Sequence, residues 1–239
     1  MSSFVQNAAF AENATAILVH GAWADGSCWQ NLIQPLQKAG LKVTCAPIPL
    51  TSLTEDIAAM QRVLERTNGP VVLVGHAYGG AVIAGPKDDR VKSLVYVAAL
   101  APAEGETVAD VFYRAKPHPE APTLKPDANG LIWMPVGGFA RAVAHKASAD
   151  QTTILEAVQR PIAVKCIQEK APAPTWKTKP SWFLLAKEDR MISPETQRFM
   201  AERMGAKIHA HRVDHSPMYT APGLVVDVIL EAAQETLTS

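Results

Sequence analysis

The segment VVLVGHAYGGAV, beginning at Val71, reads as a buried strand running through Gly75-His76-Ala77-Tyr78-Gly79-Gly80 into the start of a helix. Glycines around such a turn let strand and helix approach closely and throw the central side chain outward on strained backbone. In the G-x-S-x-G form the central residue is a serine that attacks a carbonyl carbon; here it is Ala77. A serine hydroxyl attacks only when a base takes its proton, and that base needs a buried acid to orient it and stabilise its positive charge. Candidates for both partners stand at the ends of later apolar runs. Glu188 and Asp189 follow SWFLLA, which begins at Ser181, and His215 follows KIHAHRV, which begins at Lys207. His209 and His211 lie inside the latter run, where a histidine is a structural residue. His20 and His76 adjoin glycines and read as structural or pocket-wall residues. Cys28 and Trp29 read as helix packing.

These residues need a frame that brings strand ends together. Short apolar runs bounded by turns recur at 16–20, 42–48, 71–75 and 93–100, and the runs from Ser181 and Lys207 extend the series to about six strands. Continuous apolar strands of this kind suit a parallel sheet covered on both faces. Helical patterns at about 28–39 and 52–67 lie between them, the second beginning after Ser52 as a plausible cap and both stopped by glycine, at Gly40 and Gly69. The alternation predicts an α/β fold with a doubly wound, mainly parallel sheet, whose ligands bind beyond the carboxyl ends of the strands.

One stretch breaks the alternation. Residues 101–178 are rich in Pro and Ala, with helical pieces expected near 105–115, 137–147 and 150–168, and they carry enough apolar side chains to form a helical cap rather than a disordered linker. The expected organisation is an N-terminal extension over 1–14, a core over 15–100 and 179–239, and the cap over 101–178.

The 239 residues fit one domain. Lys+Arg and Asp+Glu both total 23 and neither sign forms a block, which excludes a basic stripe able to track nucleic acid. No uncharged apolar stretch approaches the length of a membrane span. Three widely spaced cysteines, Cys28, Cys45 and Cys166, supply neither a disulfide framework nor a metal-ligand pattern. The opening MSSFVQNAAFAENATA does not read as a secretory signal, so a cytoplasmic, reducing location is expected.

With the motifs HGAWADGSCW at 20–29, GHAYGGAV at 75–82, KPSWFLLAKEDRMISPETQRFMAERM from Lys179 and DHSPM at 214–218 in this order, the chain resembles the α/β-hydrolase superfamily from Thr15 onward. It is similar to the plant methylesterase and hydroxynitrile-lyase-like branch and its bacterial esterase relatives. The resemblance implies an order of nucleophile, acid and histidine along the chain, which selects Ala77, Asp189 over Glu188, and His215. It also implies an oxyanion hole made by the N–H of Ala22, in the loop after the first strand, and by that of Tyr78, the residue after the nucleophile position. No metal and no organic cofactor is implied.

An alanine methyl cannot attack a carbonyl, so the chain as it stands should form no acyl-enzyme. The alanine is either a substitution that traps a bound ester or the mark of a natural, non-catalytic, ligand-binding relative; the intact Asp189, His215 and oxyanion loop favour the first. A third reading keeps catalysis without a serine, with His215 abstracting a proton as in lyases and cofactor-free enzymes. The expected activity of the serine-bearing form is hydrolysis of a carboxylic ester or related acyl bond in a small apolar substrate. Trp133, Met134 and Phe139 are expected in the pocket wall. The expected partner is that small molecule alone, with no nucleic acid and no membrane, bound by a monomer or homodimer.

Overall fold

The structure is a computed structural model and describes residues 9–238. The first eight residues of the expected N-terminal extension lie outside the described residues. The remainder of that extension docks on the C-terminal end of the chain, where the Ala11 N–H donates to the Leu237 carbonyl at 2.7 Å.

The core opens with β1 (Thr15–Val19), α1 (Gln30–Lys38), β2 (Lys42–Ala46), α2 (Leu53–Leu64), β3 (Val71–His76), α3 (Gly79–Ile83) and β4 (Val91–Val97). The cap follows, with α4 (Val108–Phe112), β5 (Leu131–Ile132), a π-helical turn at Phe139–Val143, α5 (Ala149–Val158), β6 (Ile162–Ala163) and α6 (Val164–Gln168). The chain then returns to the core through β7 (Ser181–Ala186), α7 (Pro194–Arg203), β8 (Lys207–His211), α8 (Pro217–Thr220) and α9 (Pro222–Thr236).

Six strands pair in parallel in the order β2-β1-β3-β4-β7-β8. Every residue of β1, β3 and β7 is buried. Their alternate side chains enter two different clusters, Ile17, Val19 and Leu73 on one face and Leu18, Val72 and Val74 on the other. This is why these strands read as unbroken apolar runs instead of alternating ones. The edge strands β2 and β8 expose part of their length and start with Lys42 and Lys207, charges that discourage pairing with another sheet edge.

The strand order reverses between β1 and β3, so the loops after these two strands face one another at the topological switch point. Helix α9, which the sequence reading did not mark, lies over the sheet with Val225, Val226, Val228, Ile229, Ala232 and Ala233 buried.

The cap departs from its expected helices. The piece expected at 150–168 breaks after Val158, because Pro161 offers no N–H and disfavours helical backbone at Arg160. Gln159 has already turned to ψ 145°. The piece expected at 105–115 is one short helix, started by a capping box between Thr107 and Asp110. A two-stranded antiparallel ribbon, β5 with β6, pairs Leu131 with Ala163 and Ile132 with Ile162. The run expected at 93–100 ends as a strand at Val97, since Ala98 takes φ +43°.

Candidate active site

Strand β3 turns into α3 through Ala77, which holds φ +48°. An L-residue there costs about 1 kcal/mol or more and persists only where its surroundings impose it. The Ala77 carbonyl accepts from Gly80 N–H at 3.1 Å and Leu100 N–H at 2.9 Å, which pins the turn. The neighbouring glycines are required by closeness: a Cβ on Gly75 would lie 2.6 Å from the Gly79 oxygen, and one on Gly79 would lie 2.5 Å from the Val19 oxygen. Strand and helix therefore pack at backbone contact, and the Ala77 methyl points into a cavity at the sheet end.

Asp189 stands in the loop between β7 and α7, 2% exposed. Its Oδ1 accepts the N–H groups of Met191 (2.7 Å) and Ile192 (2.9 Å), and its Oδ2 accepts Gln197 Nε2 (2.8 Å) and His215 Nδ1 (2.7 Å). A buried carboxylate with four donors has its charge compensated where water cannot reach. Because a carboxylate only accepts, the proton of His215 is assigned to Nδ1, which leaves Nε2 as the basic nitrogen. Gln197 was not anticipated from sequence, although its amide also holds the end of β7 through Ala186 N–H (3.0 Å) and the Ile192 carbonyl (2.9 Å).

The loop carrying His215 is tied from two further sides. His76 Nε2–H donates to the His215 carbonyl at 2.7 Å, and the two rings lie 4.8 Å apart. Burial holds the His76 pKa well below its usual value, with His215 a smaller contribution, so His76 stays neutral and its Nδ1 carries no proton. Asp214 accepts from Ser216 N–H, Thr220 Oγ1 and, in the cap, Lys146 N–H. His20 is likewise buried, which lowers its pKa to about 4, and its Nδ1–H donates to the Gly21 carbonyl at 2.9 Å. Glu188 faces outward and pairs with Lys146 and Arg212, which lower its pKa to about 2. His209 pairs with Glu231 at the sheet edge at 3.1 Å.

The loop after β1 brings Gly21 against the turn: a Cβ on Gly21 would meet the Ala77 Cβ at 2.9 Å. The N–H groups of Ala22 and Tyr78 lie outside strand and helix ladders and find no backbone acceptor among the described residues. Ala22, Ala77, Tyr78 and His215 line one apolar cavity. Cap residues enclose it, among them Val108, Phe112, Leu124, Ile132, Ile162 and Ile167.

Of the residues expected in the wall, Phe139 lines a smaller adjoining cavity that also touches Ala77 and His215. Trp133 and Met134 line neither. Side chains alternate along extended backbone, so while Ile132 points into the cavity, Trp133 points out, 46% exposed, with Nε1–H donating to Asp127 at 3.3 Å. Met134 is buried inside the cap, its sulfur filling the space beside Gly138. Among the described residues no group of three or more His, Cys, Asp or Glu side chains could hold a metal, and no helix is long and apolar enough to cross a membrane.

Known proteins resemble this chain to different extents. A carbendazim hydrolyzing esterase of Nocardioides sp. (strain SG-4G) is 31% identical over 150 residues, 56% of this chain and 57% of that esterase. Methylesterase 2 of Arabidopsis thaliana is 26% identical over 249 residues, 91% of this chain and 95% of that protein. The crystal structure of a pyrethroid hydrolase from Sphingobium faniae JZ-2 superposes with a TM-score of 0.77 at 20% identity, covering 92% of this chain and 97% of that one. The model of the alpha/beta hydrolase family matches residues 16–228, and with a six-stranded parallel sheet carrying this elbow, the chain belongs to that family.

Proposed function

We propose that the site is that of a carboxylic ester hydrolase of the acyl-enzyme type for small, apolar substrates, and that Ala77 leaves this chain able to bind such an ester but not to cleave it covalently. The observation that carries the reading is the buried Asp189–His215 pair at 2.7 Å, opening onto the same cavity as the Ala77 methyl. The names of the esterase and methylesterase relatives support the ester class.

With a serine at position 77, its Oγ would attack the ester carbonyl while His215 Nε2 takes the proton. Asp189 would hold the Nδ1–H tautomer and stabilise the imidazolium. The Ala22 and Tyr78 amides would meet the oxyanion as charge develops on it. His215 would then return the proton to the departing alkoxide, and water would release the acid by the reverse sequence.

The test is hydrolysis of 4-nitrophenyl acetate and butyrate by the chain and by its Ala77→Ser variant. The expected result is background rate for the former and a gain of at least about 10³-fold for the latter. No gain across a broad panel of esters would overturn the reading. The alanine itself favours one second reading, in which His215 Nε2 takes a proton from an acidic carbon and the two amides hold the enolate. Histidine-dependent deuterium exchange into a ketone by the unaltered chain would point there.

A further inference from the structure

Asp56, on α2, is fully buried and accepts from three directions. Leu50 N–H donates to Oδ1 at 2.7 Å; the Tyr78 hydroxyl (2.6 Å) and the Cys166 thiol (3.6 Å) donate to Oδ2. Tyr78 belongs to the elbow and Cys166 to cap helix α6. Leu50, held at φ +61°, gives its carbonyl to Ala163 N–H of β6 at 2.9 Å. One buried carboxylate thus joins the elbow, the loop after β2 and the cap. Burial and the adjacent carboxylate push the Tyr78 phenol well up, so it remains a donor.

The partner strand of the same ribbon reaches the other side of the site. Trp23, held at φ +60° next to Ala22, donates Nε1–H to the Ile132 carbonyl of β5 at 2.9 Å. Since β5 and β6 pair with each other, Trp23, next to Ala22, and Tyr78, through Asp56 and Leu50, are linked to the two strands of a single ribbon.

We propose that Asp56 and Trp23 are positioning residues through which the seated cap ribbon sets the Ala22 and Tyr78 amides, so that the cap forms a structural part of the oxyanion hole as well as enclosing the substrate. This rests on the reading of those amides as oxyanion donors. An amide aimed by a buried side chain keeps its direction when charge develops, and it needs no reorganisation at that moment. Two left-handed, non-glycine residues, Trp23 and Leu50, lie at the points where the core meets the ribbon. Strain of that kind is retained where a required geometry depends on it.

The experiment uses the Ala77→Ser protein after its esterase activity has been measured, so an inactive parent counts against the hydrolase reading and not against this one. Tyr78→Phe and Trp23→Phe each remove one hydrogen-bonding atom and keep an aromatic ring. Each is expected to lower kcat about ten-fold while KM changes less than about two-fold. The preference for an ester over its thionoester should fall in parallel, because sulfur accepts poorly from the same amides. A lower Tm with kcat and that preference unchanged would reduce both contacts to packing and overturn the proposal.

A second measurement needs no turnover. In the unaltered chain, Ala163→Pro deletes the N–H that reaches Leu50, at a residue whose φ of −70° proline adopts. The amide resonance of Tyr78 is expected to shift through Leu50 and Asp56. An unmoved Tyr78 resonance would break the link.

Discussion

The cavity has two walls of opposite character. The sheet-end wall, made by Ala22, Ala77, Tyr78 and His215, holds the groups able to accept or donate a proton or to orient a carbonyl. The cap wall, from Val108 to Ile167, is apolar apart from Tyr113, which is half exposed. The walls also differ in how they are held. Behind the first, Asp189 alone collects four hydrogen bonds, and neutral His76 braces the loop of its partner histidine. Behind the second are short helices, a four-residue ribbon and Met134 filling a gap. On the proposed function the chemistry belongs to the first wall and selectivity to the side chains lining the second, so substitutions of cap side chains outside the ribbon contacts to Trp23 and Leu50 should leave the chemistry intact.

The largest test of that division is made in the Ala77→Ser protein. Asp189→Asn or His215→Ala should lower kcat by about 10³- to 10⁴-fold, with the order of preference among esters unchanged. Asp189→Asn keeps the shape and changes the tautomer that His215 must adopt. A change in ester preference after either substitution would mean that the walls are not separable. A loss below about ten-fold would remove the pair from the reaction.

Acid should act behind the sheet-end wall, through the buried His20 and His76. His20 titrates near 4 in the folded chain and near 6.5 when unfolded, so the unfolded state binds the proton more readily. Its contribution is whole above pH 6.5, declines as pH falls, and is lost by about pH 4. The total is about 3 kcal/mol from that difference in pKa. His76, held lower still by burial, acts in the same direction. Urea midpoints between pH 7.5 and 4.5 should fall for the unaltered chain and fall less for His20→Asn. Parallel declines would show that His20 is not the group responsible.

The two walls were also unequally legible in the sequence. Strands β1, β3 and β7 are buried on both faces, so apolar runs mark them, and Gly75 before Ala77 is forced by backbone contact with Gly79, a few residues on. Those features are local. The residues that brace the site are not: Gln197 reaches Asp189 from the next helix, and Asp56 meets Cys166 across 110 positions. A lone Gln or Asp in an amphipathic helix carries no mark of such a partner. In the cap, every named element but the ten-residue α5 has two to five residues, too few for a hydrophobic period to declare its orientation, and Pro161 broke the longest expected helix.

The cap wall should answer to volume. Phe112 lines the cavity from α4, and Phe112→Ala in the Ala77→Ser protein should shift the kcat/KM ratio of a bulky over a small ester by about ten-fold toward the bulky one. Burst or single-turnover rates with the small ester should stay within about three-fold, because no hydrogen bond to the reacting atoms has been touched. A collapse of acylation instead would show that Phe112 also supports the sheet-end wall.

The smallest effect sharpens the boundary of the cap wall, because clustered aromatic and apolar residues do not by themselves say which way each one faces. Trp133 lies one residue past a strand end whose Ile132 enters the cavity, and it is 46% exposed, with Nε1–H donating to Asp127 at 3.3 Å. An exposed hydrogen bond of that length adds little, so Trp133→Ala should change stability by no more than about 0.5 kcal/mol. Ester preference in the Ala77→Ser background should not move at all. The composition of the segment argues for a pocket residue, while the two-residue alternation of extended backbone argues against one. A shift in ester preference on Trp133→Ala would mean that the ribbon turns over when substrate binds, bringing the indole inward and placing Ile132 outside.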